Sequence, residues 1–225
     1  MKAFLQRGCL VWLLACGWPA LLHGAEESWV KALRAMPLPP GATLNRSNAV
    51  EVLLNAFPSN TVLKAMVVLP GVSDDFYLIH RDAPALNLRA ANLWEGIVAL
   101  TNATPVRVTW REPLVLLHAG ARESLQASIR IGDAAGAGRL KLQHLPGRVL
   151  HLDAHWETLQ PSLERVLGRR VRPEGASAEA WHFNRHNVAG WHLTGWELLE
   201  AVSLTGGTAV TVQKLGINFQ IRDTP

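Results

Sequence analysis

The chain contains only two cysteines, and both lie near its start, at Cys9 and Cys16. Removal of that segment would leave no cysteine at all. This excludes a disulfide framework, thiol catalysis, cysteine-ligated zinc and iron–sulfur clusters in the remaining protein. A segment of about 200 residues buries enough apolar surface to fold without such crosslinks.

The chain also lacks a dominant charge. Lys and Arg total 22 against 18 Asp and Glu, which gives a formal net charge of +4. Loss of Lys2 and Arg7 with the N-terminal segment would leave 20 basic and 18 acidic side chains, or +2. The basic residues are scattered without a long run. The sequence therefore gives no indication of nucleic acid as a partner or of attraction to an acidic membrane surface.

Catalytic signatures are absent too. No G-x-S-x-G elbow, H-E-x-x-H motif, P-loop or dinucleotide fingerprint occurs. The glycines of residues 132–138 resemble a phosphate loop only in composition, and Asp74-Asp75 has no catalytic partner in the sequence. The first hypothesis is a protein without catalytic residues, cofactor or metal.

The first residues have the layout of a secretory signal peptide. Lys2 and Arg7 precede an apolar run over residues 9–22, which ends before Ala25 and an acidic pair. We predict a signal peptide over residues 1–25 and a periplasmic or secreted protein. Two alternatives stay open: a retained membrane anchor, although the run is short for a span of about 20 residues, and lipidation of Cys16. Membrane association is expected only in those two cases.

Two short stretches carry one signature, Asn92-Leu93-Trp94-Glu95 and Thr194-Gly195-Trp196-Glu197. The first residue of each can cap a helix, and the glutamate three positions later can reach back to it. The order strand, helix, strand, strand surrounds both, over residues 85–118 and 181–222. The spacing from the tryptophan to the first strand valine, Val106 or Val210, differs by two residues between these copies. Each helix has one apolar face, formed by Trp94, Ile97 and Leu100 in the first and by Trp196, Leu199 and Val202 in the second.

We therefore predict an α+β fold of two small βαββ units with mixed sheets, each covered by a helix, joined by a β-rich hairpin segment. The predicted division is an N-terminal helix and Pro-rich spacer over 26–41, a first module over 42–120, a connecting segment over 121–153 and a second module over 154–225. The connecting segment is predicted to contain strands at 125–131 and 139–145 around the loop 132–138, and a strand at 149–152. A helix follows, with Pro161 in its first turn. Residues 48–80, predicted as a helix and two strands (62–69 and 76–80), could be a third degenerate copy.

The stretch from Leu86 to Glu95, with the helix through Leu100 and the hairpin over 106–118, resembles the short N-terminal module shared by secretins and some TonB-dependent receptors. The later copy through Trp196-Glu197 is similar but looser. The resemblance implies small periplasmic βαββ modules that dock onto other proteins in envelope assemblies or signal relays. No long series of barrel strands follows either copy, so a pore or receptor function is not implied. The expected function is a non-catalytic protein-binding or assembly module with an envelope protein as partner, acting through a sheet edge or an aromatic surface.

Histidines supply the alternative hypothesis, a metal-binding protein or metal-dependent hydrolase. Imidazole and carboxylate are the ligands that a zinc or copper site needs without cysteine. A spacing of four residues brings two ligands together on a helix, but this stretch is predicted as strand or turn, where they lie about 13 Å apart. The candidate ligands are His182 and His186, with His192 nearby and one of His151, Asp153 or His155 as the third; Asp153 could equally cap a helix.

Tryptophans supply the aromatic surface. Trp94 and Trp196 are predicted core residues between helix and sheet. Trp181 and Trp191 flank the histidine pair, and an exposed patch there is the predicted partner site. The other candidates are Trp110 and Trp156.

Overall fold

The computed structural model describes residues 27–45, 47–72, 88–119, 125–175, 180–181 and 184–222. The helices are α1 (Ser28–Arg34), α2 (Ala49–Ala56), α3 (Leu93–Ala103), α4 (Ala134–Leu142), α5 (Trp156–Leu167) and α6 (Gly195–Thr205). The strands are β1 (Thr43–Leu44), β2 (Ala65–Val68), β3 (Leu88–Arg89), β4 (Arg107–Arg111), β5 (Leu114–His118), β6 (Ser128–Ile131), β7 (Arg148–Ala154), β8 (Val171–Glu174), β9 (His186–Trp191), β10 (Thr208–Gln213) and β11 (Gly216–Ile221). The predicted α+β class is confirmed. The predicted signal peptide, the strand at 76–80, Asp74-Asp75 and His182 lie outside the described residues.

The strands form two mixed sheets and one short ribbon. The larger sheet has the order β4-β5-β2-β9-β7, and the smaller has the order β6-β10-β11-β8. The ribbon is the antiparallel pair of β1 and β3. In the larger sheet β2 runs parallel to β5, and in the smaller sheet β8 runs parallel to β11. Both predicted hairpins, β4–β5 and β10–β11, are present.

Both faces of the three central strands of the larger sheet, β5, β2 and β9, are buried. Met66, Val68, Val115 and Leu117 belong to the core that also contains the apolar residues of α1, α2 and α3. The alternate residues of the same strands belong to a second core, together with α4, α5, α6 and the four-stranded sheet. Helix α6 contacts strands of both sheets. The order of layers is therefore helices, five-stranded sheet, α6, four-stranded sheet.

Both signature helices begin as predicted. The Asn92 side chain accepts from the Glu95 backbone N–H at 2.9 Å, and the Thr194 hydroxyl oxygen accepts from the Glu197 N–H at 3.1 Å. Glu197 also accepts from the Thr194 N–H at 2.7 Å, which completes a capping box. Glu95 reaches one residue further and accepts from the Ala91 N–H.

The repeat extends well beyond the signature. From the caps onward, each residue of the second unit is numbered 102 positions after its equivalent in the first. Asn92 and Thr194 are the two cap residues, and Thr109 and Thr211 hold the same place in their hairpins. The counterpart of Val210 is thus Val108 and not Val106. The predicted two-residue difference in the spacing from tryptophan to valine compared Val210 with Val106 and was therefore wrong.

The same correspondence holds upstream of the caps. The ribbon β1–β3 matches the pair β7–β9, and the parallel pair β2–β5 matches β8–β11. Isolated bridges join Pro37 to Asn92 and His144 to Thr194 in the same way. The repeat therefore runs from α1 to β5 (the first half, 28–118) and from α4 to β11 (the second half, 134–221).

The strand before each signature helix lies outside the hairpin sheet of its own unit. β3 pairs with β1, and β9 pairs with β2 of the first half and with β7. The prediction that each helix lies on a self-contained βαββ sheet is corrected in this respect. The β7–β9 pair of the second half thereby extends the sheet of the first half and joins the two halves through main-chain hydrogen bonds.

Two predictions in the connecting segment were wrong. Residues 139–145 do not form a strand and 132–138 do not form a loop, because α4 occupies Ala134–Leu142. Ala, Leu, Arg and Lys favour helix strongly enough to offset two glycines when Ala137 and Leu140 are buried on one face. Pro161 lies inside α5 rather than in its first turn. The strand predicted at 149–152 is confirmed as part of β7.

The described residues include no helix with both the length and the apolar character needed to cross a membrane.

Candidate functional site

Strand β4 is an outer strand of the five-stranded sheet. The turn at Glu112 and Pro113 closes the β4–β5 hairpin, and all five residues of β4 pair with β5. No strand of the described chain pairs with the other side of β4. Its outward N–H and C=O groups form an open template for another strand.

The equivalent edge in the second half is occupied. β6 pairs in parallel with β10, so that Ile129 lies beside Val210 and Ile131 beside Val212. The Val212 carbonyl accepts from the Gly132 and Asp133 N–H groups, both at 2.9 Å. Trp110 of β4 is the counterpart of Val212, because their numbers differ by 102. Within the described residues, the same sheet edge thus occurs once open and once filled.

Two other sheet edges, at β8 and β7, carry features that oppose pairing. In β8, the outward N–H and C=O of Val171 are bonded by the side chains of Glu164 and Gln160, each at 2.9 Å. Pro173 of the same strand has no N–H to donate. In β7 the ladder is irregular between His151 and Ala154, with Asp153 at a φ of 48°. Strand β4 contains no such bulge or proline.

An aromatic surface borders the same edge. The Trp110 ring stacks on the Trp29 ring of α1 at a centroid distance of 6.0 Å. Trp29 in turn meets Trp94 of α3 edge-on at 5.5 Å. Trp94 and Trp110 are half-buried, whereas Trp29 is buried. The sheet edge and the aromatic surface, which the sequence offered as separate modes of recognition, thus coincide at Trp110.

A cavity of about 440 Å³ opens on the opposite face of β4. It is lined by residues 109–111, by Leu116 of β5 and by residues 125–127. Arg111 lies at its rim, where Nη1 donates to the Leu125 carbonyl at 3.0 Å and Nη2 lies 3.8 Å from Glu200. Arg107 is exposed on the same face of the strand. The edge therefore lies between an aromatic surface on one side and, on the other, a cavity bordered by Arg111 and its neighbour Glu200.

The predicted patch of Trp181 and Trp191 was wrong. Trp181 is 4% exposed and packs against Trp156 at 4.6 Å in the core between the sheets. Trp191 is half-buried against the other core, where its Nε1 donates to the Phe57 carbonyl and the Arg148 guanidinium lies over its ring. Trp181 precedes β9 and Trp191 ends it, so the two rings pack against different cores. Trp196 is half-buried, with Lys141 over its ring.

The candidate metal ligands have other roles where they are described. Among the described residues, no three His, Cys, Asp or Glu side chains lie together as a metal site requires. Asp153 does not cap α5; its carboxylate pairs with Arg185 Nη1 at 2.5 and 2.6 Å. His155 precedes α5 as its N-cap residue. His192 is exposed and bonds Ser59. The metal hypothesis would now depend on His182, outside the described residues.

His186 is the most deeply buried of these side chains. It has no exposed surface, and its ring packs against the backbone of Gly206, where an added Cβ would lie 2.1 Å from Cε1. Burial lowers the pKa of His186 to about 3, the charges of His151 and His155 act in the same direction, and the Val202 carbonyl partly opposes them. Burial also lowers the pKa of His151. These histidines are therefore neutral at neutral pH.

Comparison with protein-family models, with curated proteins and with solved structures finds no match to this chain. Its function is therefore argued from the geometry of β4 and from the repeat.

Proposed function

We propose that this chain is an exported envelope protein that binds another protein without making or breaking covalent bonds, and that β4 is its docking edge. One observation carries the proposal: β10 holds β6 along the edge that β4, its counterpart, leaves open in the described chain. Strand addition uses main-chain hydrogen bonds for affinity and alternate side-chain pockets for specificity. Both components are present at β4, with Trp110 on one face and the cavity beside Thr109 on the other.

The resemblance to the short N-terminal module of secretins and TonB-dependent receptors supports the same role. Modules of that kind dock onto other proteins of the envelope. The shared pattern of a capped helix followed by a hairpin occurs twice in this chain, with the same register in both hairpins.

The predicted leader gives a reason for the open edge. Near α1 the two halves differ by 107 positions, as in Pro37 and His144. Counting back from β6 by this amount gives residues 21–24, which lie inside the predicted signal peptide. Cleavage near Ala25 would remove these residues, so that no segment numbered like β6 would precede α1. The exported protein would reach its compartment with β4 available to a partner.

Site-specific photo-crosslinking in the native cells tests the docking edge. A crosslinking amino acid at Thr109 should give a discrete product with one envelope protein. The matched control is Thr211, which has the same hairpin position but lies beside β6. The product should disappear with Val108→Pro, which removes an outward N–H and leaves the pairing with β5 intact. Equal products from Thr109 and Thr211, or a product that survives Val108→Pro, would refute the docking edge.

Mass spectrometry of the protein recovered from the envelope tests export. The mature chain should begin near Glu26 and carry no lipid. A chain that begins at a lipidated Cys16, or that retains residues 1–25, would select one of the two membrane alternatives.

A further inference from the structure

From the contrast between β4 and β10 we infer the chemistry of the partner: an extended segment that runs parallel to β4, with two apolar side chains flanked by carboxylates. This inference rests on the proposed docking edge and specifies what occupies it. Its first element is direction. β6 runs parallel to β10 with four residues in register, and β4 is the repeat counterpart of β10. A segment that copies this arrangement would lie along residues 107–110.

The apolar positions follow from the same register. Ile129 and Ile131 lie beside Val210 and Val212, and Ile129 packs against the core of the second half. The counterparts on β4 are Val108 and Trp110, both half-buried. A partner with apolar side chains at these two positions would cover the open side of Trp110. It would thereby continue the aromatic surface that Trp29 begins.

The charge comes from the other face, where the two halves differ. In the second half, the face of β10 that bears Thr211 carries the neutral residues Ala209 and Gln213. The counterparts on β4 are Arg107 and Arg111. A side chain at the position of Arg130 would lie beside Thr109, between Arg107 and Arg111 along the strand. Arg107 is exposed, whereas Arg111 Nη2 already lies 3.8 Å from Glu200. The preference for carboxylates over cations there therefore comes chiefly from Arg107.

The same charges argue against a second copy of this chain as the occupant. Antiparallel pairing of two β4 strands about Thr109 would set Arg107 of one copy opposite Arg111 of the other. Like charges directly opposite each other destabilise a strand pair. A hetero-partner with acidic residues fits the edge better than self-association does.

Two synthetic peptides test the inference. One copies residues 126–132, and the other carries Ser128→Glu and Arg130→Glu in the same seven-residue frame. Binding to the mature chain is measured by fluorescence anisotropy of labelled peptide at low salt. The acidic peptide should bind about threefold to tenfold more tightly, as expected for one or two surface ion pairs, and added salt should reduce this preference.

Substitutions in the protein identify the source of the preference. Arg107→Glu should reverse the preference, so that the peptide copied from residues 126–132, which keeps its arginine, binds more tightly than the acidic peptide. Arg172→Glu, an exposed arginine on strand β8, is the matched control and should leave it unchanged. A photo-crosslinker at the peptide N-terminus should label the protein near Arg107 if the pairing is parallel, and near Arg111 if it is antiparallel.

The outcomes separate this inference from the proposed function. Three results would overturn the inference: equal affinity of the two peptides, a preference that survives Arg107→Glu, or labelling near Arg111. In each of these cases, loss of peptide binding with Val108→Pro would still support β4 as the docking edge. Binding that is insensitive to Val108→Pro would overturn both. If neither free peptide binds measurably, each is fused ahead of Ser28 through one added Asp, so that the final Gly of the peptide and this Asp reproduce the Gly132-Asp133 junction of β6 and α4. The acidic fusion should then have the higher Tm, and equal Tm values would overturn the inference.

Discussion

A single buried side chain, His186, sets a pH limit on this fold. The described residues place no strong hydrogen-bond partner at either ring nitrogen, so protonation would put an uncompensated charge in the interior. The folded protein therefore holds the ring neutral, with a pKa of about 3. The unfolded chain allows the ordinary value of about 6.5.

This difference predicts acid destabilisation that begins in a mildly acidic range. Because the unfolded state binds more protons below pH 6.5, the free energy of unfolding is fully retained above that pH. It falls by up to about 1.4 kcal/mol per pH unit toward pH 3. His186→Leu removes the titrating group and should flatten this dependence, leaving a smaller slope from His151. Urea unfolding at pH 7, 6 and 5 measures both slopes. Equal slopes in the variant and the parent protein would contradict the role of His186.

At the scale of the element, the two signature helices begin alike but serve different surroundings. Glu197 Oε1 accepts from Lys64 Nζ at 2.8 Å, and this pair joins α6 of the second half to the segment before β2 in the first half. The corresponding oxygen of Glu95 accepts instead from the side chain of Asn92, within its own cap. The Lys64–Glu197 pair is mostly buried, with side-chain exposures of 25% and 17%.

Glu197→Gln should therefore destabilise the protein more than Glu95→Gln, by about 1 kcal/mol. Both substitutions keep an oxygen for the cap and remove the favourable charge at a helix N-terminus. Only the first also weakens an ion pair between the halves. The Lys64→Met and Glu197→Gln double-mutant cycle measures the coupling directly by chemical denaturation. A coupling energy near zero would show that the pair contributes nothing to stability.

Elements with a local signal could be predicted from the sequence, and those defined by distant partners could not. The caps at Asn92 and Thr194 and the hairpin over 106–118 depend on neighbouring residues, and all three were predicted correctly. The pairing of β9 with β2 depends on surfaces far apart in sequence, and nothing near residues 186–191 reveals it. The same limit applied to the candidate site. Trp110 was recognised as one of several aromatic residues, but the open edge beside it became visible only through the comparison of β4 with β10.

At the scale of the whole molecule, the repeat is asymmetric because the halves are stacked. The central strands of the first sheet are buried on both faces, since α6 packs on the side that bears Val67 and Leu116. The corresponding row of the second sheet is Arg130, Thr211, Asn218 and Arg172, each beside the next in the strand register. Polar side chains on this outer face end the stack, as terminal repeats of stacked proteins commonly do.

Exchange of matched residues tests this account of the stack. Leu116 is fully buried, and Asn218 is its repeat counterpart on the outer face of the second sheet. Leu116→Asn should cost at least about 3 kcal/mol, because it removes apolar contacts and buries an amide among aliphatic side chains. Asn218 is only 9% exposed, and its side chain donates to the exposed Glu174. Asn218→Leu loses this one partly buried hydrogen bond and should cost about 1 kcal/mol, less than Leu116→Asn. Denaturant unfolding of both variants measures the two costs. Similar costs at the two positions would contradict the assignment of Asn218 to an open outer face.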